Sequence, residues 1–179
     1  MYRESLGVRG FTVAALMAAV TTVFTLAVRI PVAASGGYFN LSDVAINFAA
    51  LSFGPWVGFI AGGVGTGLAD IIGGYPMFAP LSFIAHGLEG LIVGAVAQGK
   101  PVKTMLGGWF AGAFLMCSIY FIGESVAYGG VGAALADLVT ANVWQALAGA
   151  IIGIPLTLAV RRAYPLVAQA ATPRRFRED

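Results

Sequence analysis

The stretch that decides the fold is Gly54-Pro-Trp-Val-Gly-Phe-Ile-Ala-Gly-Gly-Val-Gly-Thr-Gly-Leu-Ala-Asp70. It is apolar, and its glycines recur four residues apart in two sets, Gly54, Gly58 and Gly62, then Gly63 and Gly67. In water such a segment would be a poor helix, because each glycine costs roughly 1 kcal/mol relative to alanine. In lipid the backbone must satisfy its own hydrogen bonds, and a face of glycines lets neighbouring helices approach closely. The stretch therefore predicts the central packing helix of a membrane bundle, ending at the carboxylate of Asp70.

The composition favours an integral membrane protein of one domain. The 179 residues are 59% hydrophobic and only 10% charged, with a mean hydropathy of +0.86. Soluble domains are about 25% charged. The single cysteine, Cys117, lies in an apolar run, so no intrachain disulfide is expected. The first apolar run is long enough to span and lacks a small-residue cleavage site, so no cleavable signal peptide is expected.

Apolar runs near the length of a bilayer crossing predict an all-α protein with six membrane helices. Their expected bounds are about 10–30, 43–53, 55–72, 80–98, 104–128 and 132–164. Helix 2 is too short to span unless it continues past Gly54-Pro55. The stretch Pro31 to Ser42 is expected to be a polar loop, with Ser42 capping helix 2 and Asp43 in its first turn.

The basic residues predict the orientation of the bundle. They lie before helix 1, between helices 4 and 5, and after helix 6: Arg3, Arg9, Lys100, Lys103, Arg161, Arg162, Arg174, Arg175 and Arg177. All three groups fall on one side of a six-span bundle, so both termini are expected to be cytoplasmic. The short basic tail is then a topology signal, and no nucleic-acid binding is predicted.

Ionisable residues within spans are costly and usually functional. Most of those in this chain fall in the predicted outer half: Asp43, Asp70, His86, Glu89, Glu124 and Asp137. Together with nearby aromatic rings they predict a pocket open to the outside. Structural alternatives remain for several of them. Asp70 could pair with Arg29, His86 and Glu89 could form a local hydrogen bond, and Glu124 and Asp137 could be solvated near the interface.

The predicted ligand-binding residues are Tyr38, Asn40, Tyr75, His86, Glu89, Glu124, Asn142 and Trp144. Glu89 is expected to accept a hydrogen bond from a ring N–H or an ammonium group, and Trp144 or Tyr75 to stack on a ring. The excess of acids over bases favours a ligand with a positive charge or several N–H donors.

Five segments carry a resemblance to a known family: Phe39-Asn-Leu-Ser-Asp43, Phe53-Gly-Pro-Trp-Val-Gly58, Gly62 to Asp70, Gly74-Tyr-Pro76 and His86-Gly-Leu-Glu-Gly90. With the six-span plan, they resemble the substrate-binding S components of energy-coupling factor (ECF) vitamin transporters. His86 stands where many of these proteins carry lysine. Helix 1 also carries a small-residue pattern similar to the one by which S components dock on the coupling subunit, formed by Ala14, Ala15, Ala18 and Ala19.

The resemblance implies a membrane subunit that binds a vitamin or precursor beneath the loop joining helices 1 and 2. Its partners would be a transmembrane coupling subunit and two ATPases in the cell membrane. The chain has no G-x-x-x-x-G-K-[ST] loop, so any ATP hydrolysis would belong to those partners. The acids favour hydroxymethylpyrimidine, thiamine or a pyridoxine-like base, and riboflavin is the alternative vitamin.

Two other classes of function stay open at this point. One is an intramembrane enzyme that uses Glu89 and His86 as acid and base, and the other is a standalone ion-coupled carrier. The chain has no nucleophile motif and no paired metal-ligand motif. We therefore predict a protein that is not an enzyme and has no cofactor and no metal.

Overall fold

The computed structural model describes residues 8 to 164, which form six helices and one two-stranded hairpin. Their bounds are α1 Val8–Ala27, β1 Ile30–Pro31, β2 Tyr38–Phe39, α2 Ser42–Phe53, α3 Pro55–Gly73, α4 Ala79–Ala97, α5 Val102–Ala127 and α6 Gly130–Ala163. The predicted six-helix architecture is confirmed. The largest difference in bounds is at α1, which ends at Ala27 rather than near Ile30. Four residues of the basic groups lie outside the described residues, namely Arg3, Arg174, Arg175 and Arg177.

The glycine-rich helix α3 is packed between α1 and α4, as its sequence predicts. A Cβ atom added to Gly58 would lie 2.5 Å from the carbonyl oxygen of Gly90, and one added to Gly62 would collide with the carbonyl of His86. On the α1 side, a Cβ on Gly65 would lie 2.7 Å from that of Thr21. The missing side chains therefore bring three backbones together, which places the α4 polar residues beside those of α3.

Helix α2 is a separate short helix of 12 residues. It ends at Phe53 and is followed by Gly54, whose φ of 99° favours glycine, and α3 begins at once with Pro55. Arg161 on α6 donates a hydrogen bond of 2.6 Å to the carbonyl of Leu51 in the last turn of α2. Five helices, α1 and α3 to α6, are long and apolar enough to cross a membrane, and α2 is not among them.

Helix α6 contains two π-helical turns, at Leu138–Asn142 and Gly149–Gly153. Each wide turn shifts the angular register of the residues that follow, and such turns are frequent at functional sites. Asp137 and Asn142 are five residues apart, yet their side chains form a hydrogen bond of 3.2 Å. The second turn brings the glycines Gly149 and Gly153 against α2.

The predicted polar loop between α1 and α2 contains a small antiparallel hairpin. Ile30 pairs with Phe39 and Pro31 with Tyr38, and a turn containing Gly36 at φ 74° joins the strands. The expectation that Ser42 caps α2 is wrong. Ser42 is the first helical residue and Leu41 is the N-cap, while Oδ1 of Asn40 accepts a hydrogen bond of 2.7 Å from the backbone N–H of Ser42.

Candidate ligand-binding site

A cavity lies beneath the hairpin, between the hairpin and the polar faces of α3, α4, α5 and α6. Three helices contribute polar side chains four residues apart, which places each pair on one helix face. These pairs are Thr66 and Asp70 on α3, Ser82 and His86 on α4, and Tyr120 and Glu124 on α5. Helix α6 adds Asp137, Asn142 and Gln145. The cavity is therefore lined by carboxylates, amides and hydroxyls.

The hairpin is attached to the rim of the cavity by hydrogen bonds to buried side chains. The hydroxyl of Tyr38 donates to Oδ1 of Asp70 at 2.6 Å, and the hydroxyl of Ser35 donates to Oδ1 of Asp137 at 2.6 Å. Burial, followed by the neighbouring Asp70 charge, raises the pKa of Tyr38 well above its usual range. The phenol therefore keeps its proton and stays a hydrogen-bond donor. The hairpin is thus held over the cavity by two hydroxyl groups that donate to the side chains of Asp70 and Asp137.

The proposed pairing of Asp70 with Arg29 is wrong. Arg29 donates instead to the carbonyl of Gly73 at 2.9 Å, and within residues 8 to 164 no ion pair joins it to Asp70. Asp70 is therefore a cavity residue, held by Tyr38 rather than by a basic partner.

Glu124 is the most unusual acceptor in the cavity wall. Its side chain is buried, and among the described residues neither of its carboxylate oxygens has a hydrogen-bond partner. Oδ2 of Asp70 is likewise buried and unpartnered in that part of the chain. A buried acceptor without a donor costs about 1–3 kcal/mol, and more when it is charged. The wall therefore offers acceptors that a ligand with N–H donors would satisfy.

The alternative of a local hydrogen bond between His86 and Glu89 is confirmed, at 3.0 Å between Nδ1 and Oε2. Glu89 does not line the cavity, because it lies three residues beyond His86 on the side of α4 that faces α2. The expectation that Glu89 contacts a ligand ring directly is therefore wrong, and Glu89 contacts His86 instead. Gln145 reaches the other ring nitrogen of His86 at 3.2 Å.

Five of the eight predicted ligand-binding residues line the cavity: Tyr38, Asn40, His86, Glu124 and Asn142. Tyr75 lies just outside it, with its ring centroid 4.7 Å from that of Tyr38. Trp144 does not belong to the group, because its side chain is 60% exposed on the outer surface of α6. The expectation that Trp144 stacks on a ligand ring in this cavity is therefore corrected.

The eight predicted ligand-binding residues do not include several residues that line the cavity, among them Thr66, Ser82, Tyr120 and Gln145. A signal for three of them was present in the sequence. Each lies four residues before a predicted polar residue on the same helix, so a search for polar pairs at that spacing would have found them. Gln145 follows a π-helical turn, and no regular spacing predicts its position.

The cavity has a volume of about 30 Å³, which is room for one or two water molecules. Pockets that hold small organic ligands are typically ~300–1,000 Å³. A ring can therefore enter only if the wall moves.

The four alanines expected at the coupling interface fall on two sides of α1. Ala14 and Ala18 are buried against α2 and α3, whereas Ala15 and Ala19 lie on the exposed side. A partner could reach only the second pair in this arrangement.

The chain matches a family model described as ECF-type riboflavin transporter, S component, over residues 5 to 162. It is 43% identical over 133 residues to a protein of Pyrococcus woesei described as "Uncharacterized protein in gap 3'region", covering 74% of this chain and 88% of that one. It is 28% identical over 160 residues to the thiamine precursor transporter HmpT of Lactococcus lactis subsp. cremoris (strain MG1363), covering 89% of this chain and 92% of that protein.

The family match covers most of the chain, and the helices that it spans are those that build the cavity. Transporter S components are multi-pass membrane proteins and are not enzymes, so the intramembrane enzyme is excluded. The chain belongs to the ECF-type riboflavin transporter S component family.

Proposed function

We propose that this chain captures a thiamine-pathway pyrimidine, thiamine or a pyridoxine-like base from outside the cell for ATP-driven uptake. The observation that carries the proposal is Glu124, a buried carboxylate in the cavity wall whose two oxygens have no partner among the described residues. A ligand that donates hydrogen bonds to both oxygens would remove the cost of burying them.

An aminopyrimidine has the donor and acceptor groups that this wall requires. Its exocyclic amine and a protonated ring nitrogen can donate to a carboxylate in a paired, charge-assisted arrangement. The amide of Asn142 and the hydroxyl of Tyr120 lie in the same wall and can meet its other ring atoms. The Lactococcus relative is a thiamine precursor transporter, which supports the same class of ligand.

Riboflavin is the second candidate, because the matching family model is described by that vitamin. Its three-ring system is much larger than a single pyrimidine, whereas the cavity has a volume of about 30 Å³. Riboflavin would need a far larger displacement of the hairpin and of the helix ends. A single pyrimidine also requires the wall to move, but by a smaller displacement.

Uptake would require a transmembrane coupling subunit and two ATPases. We place the coupling subunit against the exposed side of α1. Ala15 and Ala19 would allow close helix contact there. The substitution Ala15→Trp should abolish co-purification with the coupling subunit and leave vitamin binding unchanged. The matched control is Ile122→Trp, at an exposed position on α5, which should keep the complex.

The deciding experiment is mass spectrometry of small molecules released when the detergent-purified protein is denatured. It is followed by calorimetric titration with four compounds, namely hydroxymethylpyrimidine, thiamine, pyridoxine and riboflavin. We expect a stoichiometric pyrimidine, thiamine or pyridoxine compound and a dissociation constant at least tenfold lower than that for riboflavin. Tighter binding of riboflavin would replace the proposed ligand. No release and no binding of any of the four would contradict a vitamin-binding function.

A further inference from the structure

The buried amide of Gln145 on α6 joins three other parts of the bundle at the cavity wall. Its Oε1 accepts a hydrogen bond of 3.2 Å from the backbone N–H of Asn40, between the hairpin and α2. Its Nε2 lies 3.1 Å from Oδ1 of Asp43 on α2 and 3.2 Å from Nε2 of His86 on α4. Both polar atoms of this buried side chain therefore have partners.

The backbone N–H of Asn40 fixes the direction in which the amide of Gln145 faces. An N–H group can only donate, so the atom of Gln145 that meets it must be the oxygen. In the reversed orientation the NH₂ group would face this N–H group, and the oxygen would face the carboxylate of Asp43. Two buried hydrogen bonds would be replaced by two unfavourable contacts. The NH₂ group therefore faces Asp43 and His86.

This orientation makes His86 neutral, with its single ring proton on Nδ1. Nε2 of His86 faces the NH₂ group and so accepts a hydrogen bond. Nδ1 lies 3.0 Å from Oε2 of Glu89 and 3.4 Å from Oδ1 of Asp43, both of them acceptors. Neither ring nitrogen is free for a ligand. His86 can contact a ligand in the cavity only through its ring carbons and ring face, beside Tyr120, whose ring centroid is 5.5 Å away.

The protonation state of His86 decides whether the cavity wall carries a positive charge. The other titratable groups that line the cavity or contact His86 are acids and phenols: Tyr38, Asp43, Asp70, Glu89, Tyr120, Glu124 and Asp137. The described residues of this wall include no lysine and no arginine. The acids by themselves would favour a second proton on His86, because an imidazolium would pair with them. The NH₂ group of Gln145 opposes that proton, since a protonated Nε2 would face another donor.

We propose that Gln145 is a positioning residue that acts through His86: it holds His86 neutral and so keeps the cavity wall free of positive charge. The inference deepens the proposed function and rests on it for the ligand. A wall with carboxylates and no cation attracts a positively charged ligand such as thiamine, whose thiazolium ring carries a permanent charge. An imidazolium in place of the neutral ring would repel the same ligand.

The first test is ¹⁵N NMR spectroscopy of the histidine in tag-free, vitamin-free protein in detergent. The chain has one histidine, so both ring-nitrogen signals belong to His86. At pH 7 we expect a proton on Nδ1 and none on Nε2. A proton on Nε2, alone or together with one on Nδ1, would overturn the proposal. The measurement uses no ligand, so its outcome is independent of which vitamin the protein binds.

Two matched variants test whether Gln145 causes this state. Gln145→Glu replaces the NH₂ group by an oxygen, so both ring nitrogens of His86 should carry protons. The control is Asn142→Asp, the same amide-to-acid change on the same helix and in the same wall. The amide of Asn142 bonds to Asp137 rather than to His86, so this variant should leave Nε2 without a proton. An unprotonated Nε2 in Gln145→Glu, or a protonated one in Asn142→Asp, would contradict the role of Gln145.

Calorimetric titration with thiamine tests the consequence for binding. His86→Lys places a positive charge in the wall and should raise the dissociation constant at least about tenfold, because like charges repel strongly away from water. His86→Gln keeps the wall neutral and should raise it by a smaller factor. Equal dissociation constants in the two variants would overturn the charge argument. Wild-type protein that binds no thiamine would contradict thiamine as the ligand, whereas the NMR signals of His86 would still decide the role of Gln145.

Discussion

Substitution of Glu124 by glutamine should lower vitamin affinity while it leaves the vitamin-free protein as stable or more stable. Both oxygens of Glu124 are buried without a partner in the described part of the chain, so these unsatisfied acceptors lower the stability of the protein until a ligand donates to them. A hydrogen bond to a charged group contributes about 1.5–3 kcal/mol. At roughly 1.4 kcal/mol per tenfold change, its loss should raise the dissociation constant about 10- to 100-fold.

The assay is calorimetric titration of wild type and variant with the vitamin identified by mass spectrometry, together with Tm of the vitamin-free proteins. The matched control is Ser118→Ala on the same helix, because its hydroxyl bonds only to the backbone of Phe114, away from the cavity. The control should bind like wild type. An unchanged dissociation constant in Glu124→Gln, whatever its Tm, would refute the assignment of Glu124 as the ligand's acceptor.

Three further predictions concern the hairpin, the glycine helix and the corrected tryptophan. Tyr38→Phe removes a hydrogen bond of 2.6 Å that holds the hairpin, for a loss of ~1 kcal/mol. Stopped-flow measurements should therefore show that the vitamin dissociates about fivefold faster from this variant, whereas Tyr75→Phe should leave the dissociation rate unchanged. Gly62→Ala should lower Tm by roughly 2–10 °C, because the added methyl group collides with the α4 backbone and overpacking costs about 1–3 kcal/mol. Its control is Gly107→Ala, which has open space, and an equal loss in both would contradict the packing argument. Trp144→Phe should leave the dissociation constant within about twofold of wild type, because substitutions at exposed positions usually have small effects. A tenfold loss of affinity would show that Trp144 contacts the ligand.

The helices and the close packing of α3 could be predicted from the sequence because both depend on local pattern. Long apolar runs must be helical in lipid, where no water satisfies the backbone. Glycines four residues apart lie on one face whatever surrounds them, and the structure places α4 against that face at Gly58 and Gly62. The gathering of acids at one end also followed from helix order alone.

The roles of individual acids could not be predicted, because a role depends on how each helix is rotated about its axis. Glu89 and Glu124 look equivalent in sequence, yet α4 turns Glu89 toward α2 while α5 turns Glu124 into the cavity. On α6 the π-helical turn at Leu138–Asn142 changes the register, so Gln145 faces inward and Trp144 outward.

The sequence by itself determined that this chain is a six-helix membrane protein with a glycine-packed centre and an acidic end, because hydropathy and periodicity act within one helix. Only the tertiary structure decided that Asp43 lies beside His86 and Glu89, and that the hairpin closes over Asp70 and Asp137. These residues are far apart along the chain. Their contacts depend on helix rotation and on the packing of one helix against another, for which no local pattern carries a signal.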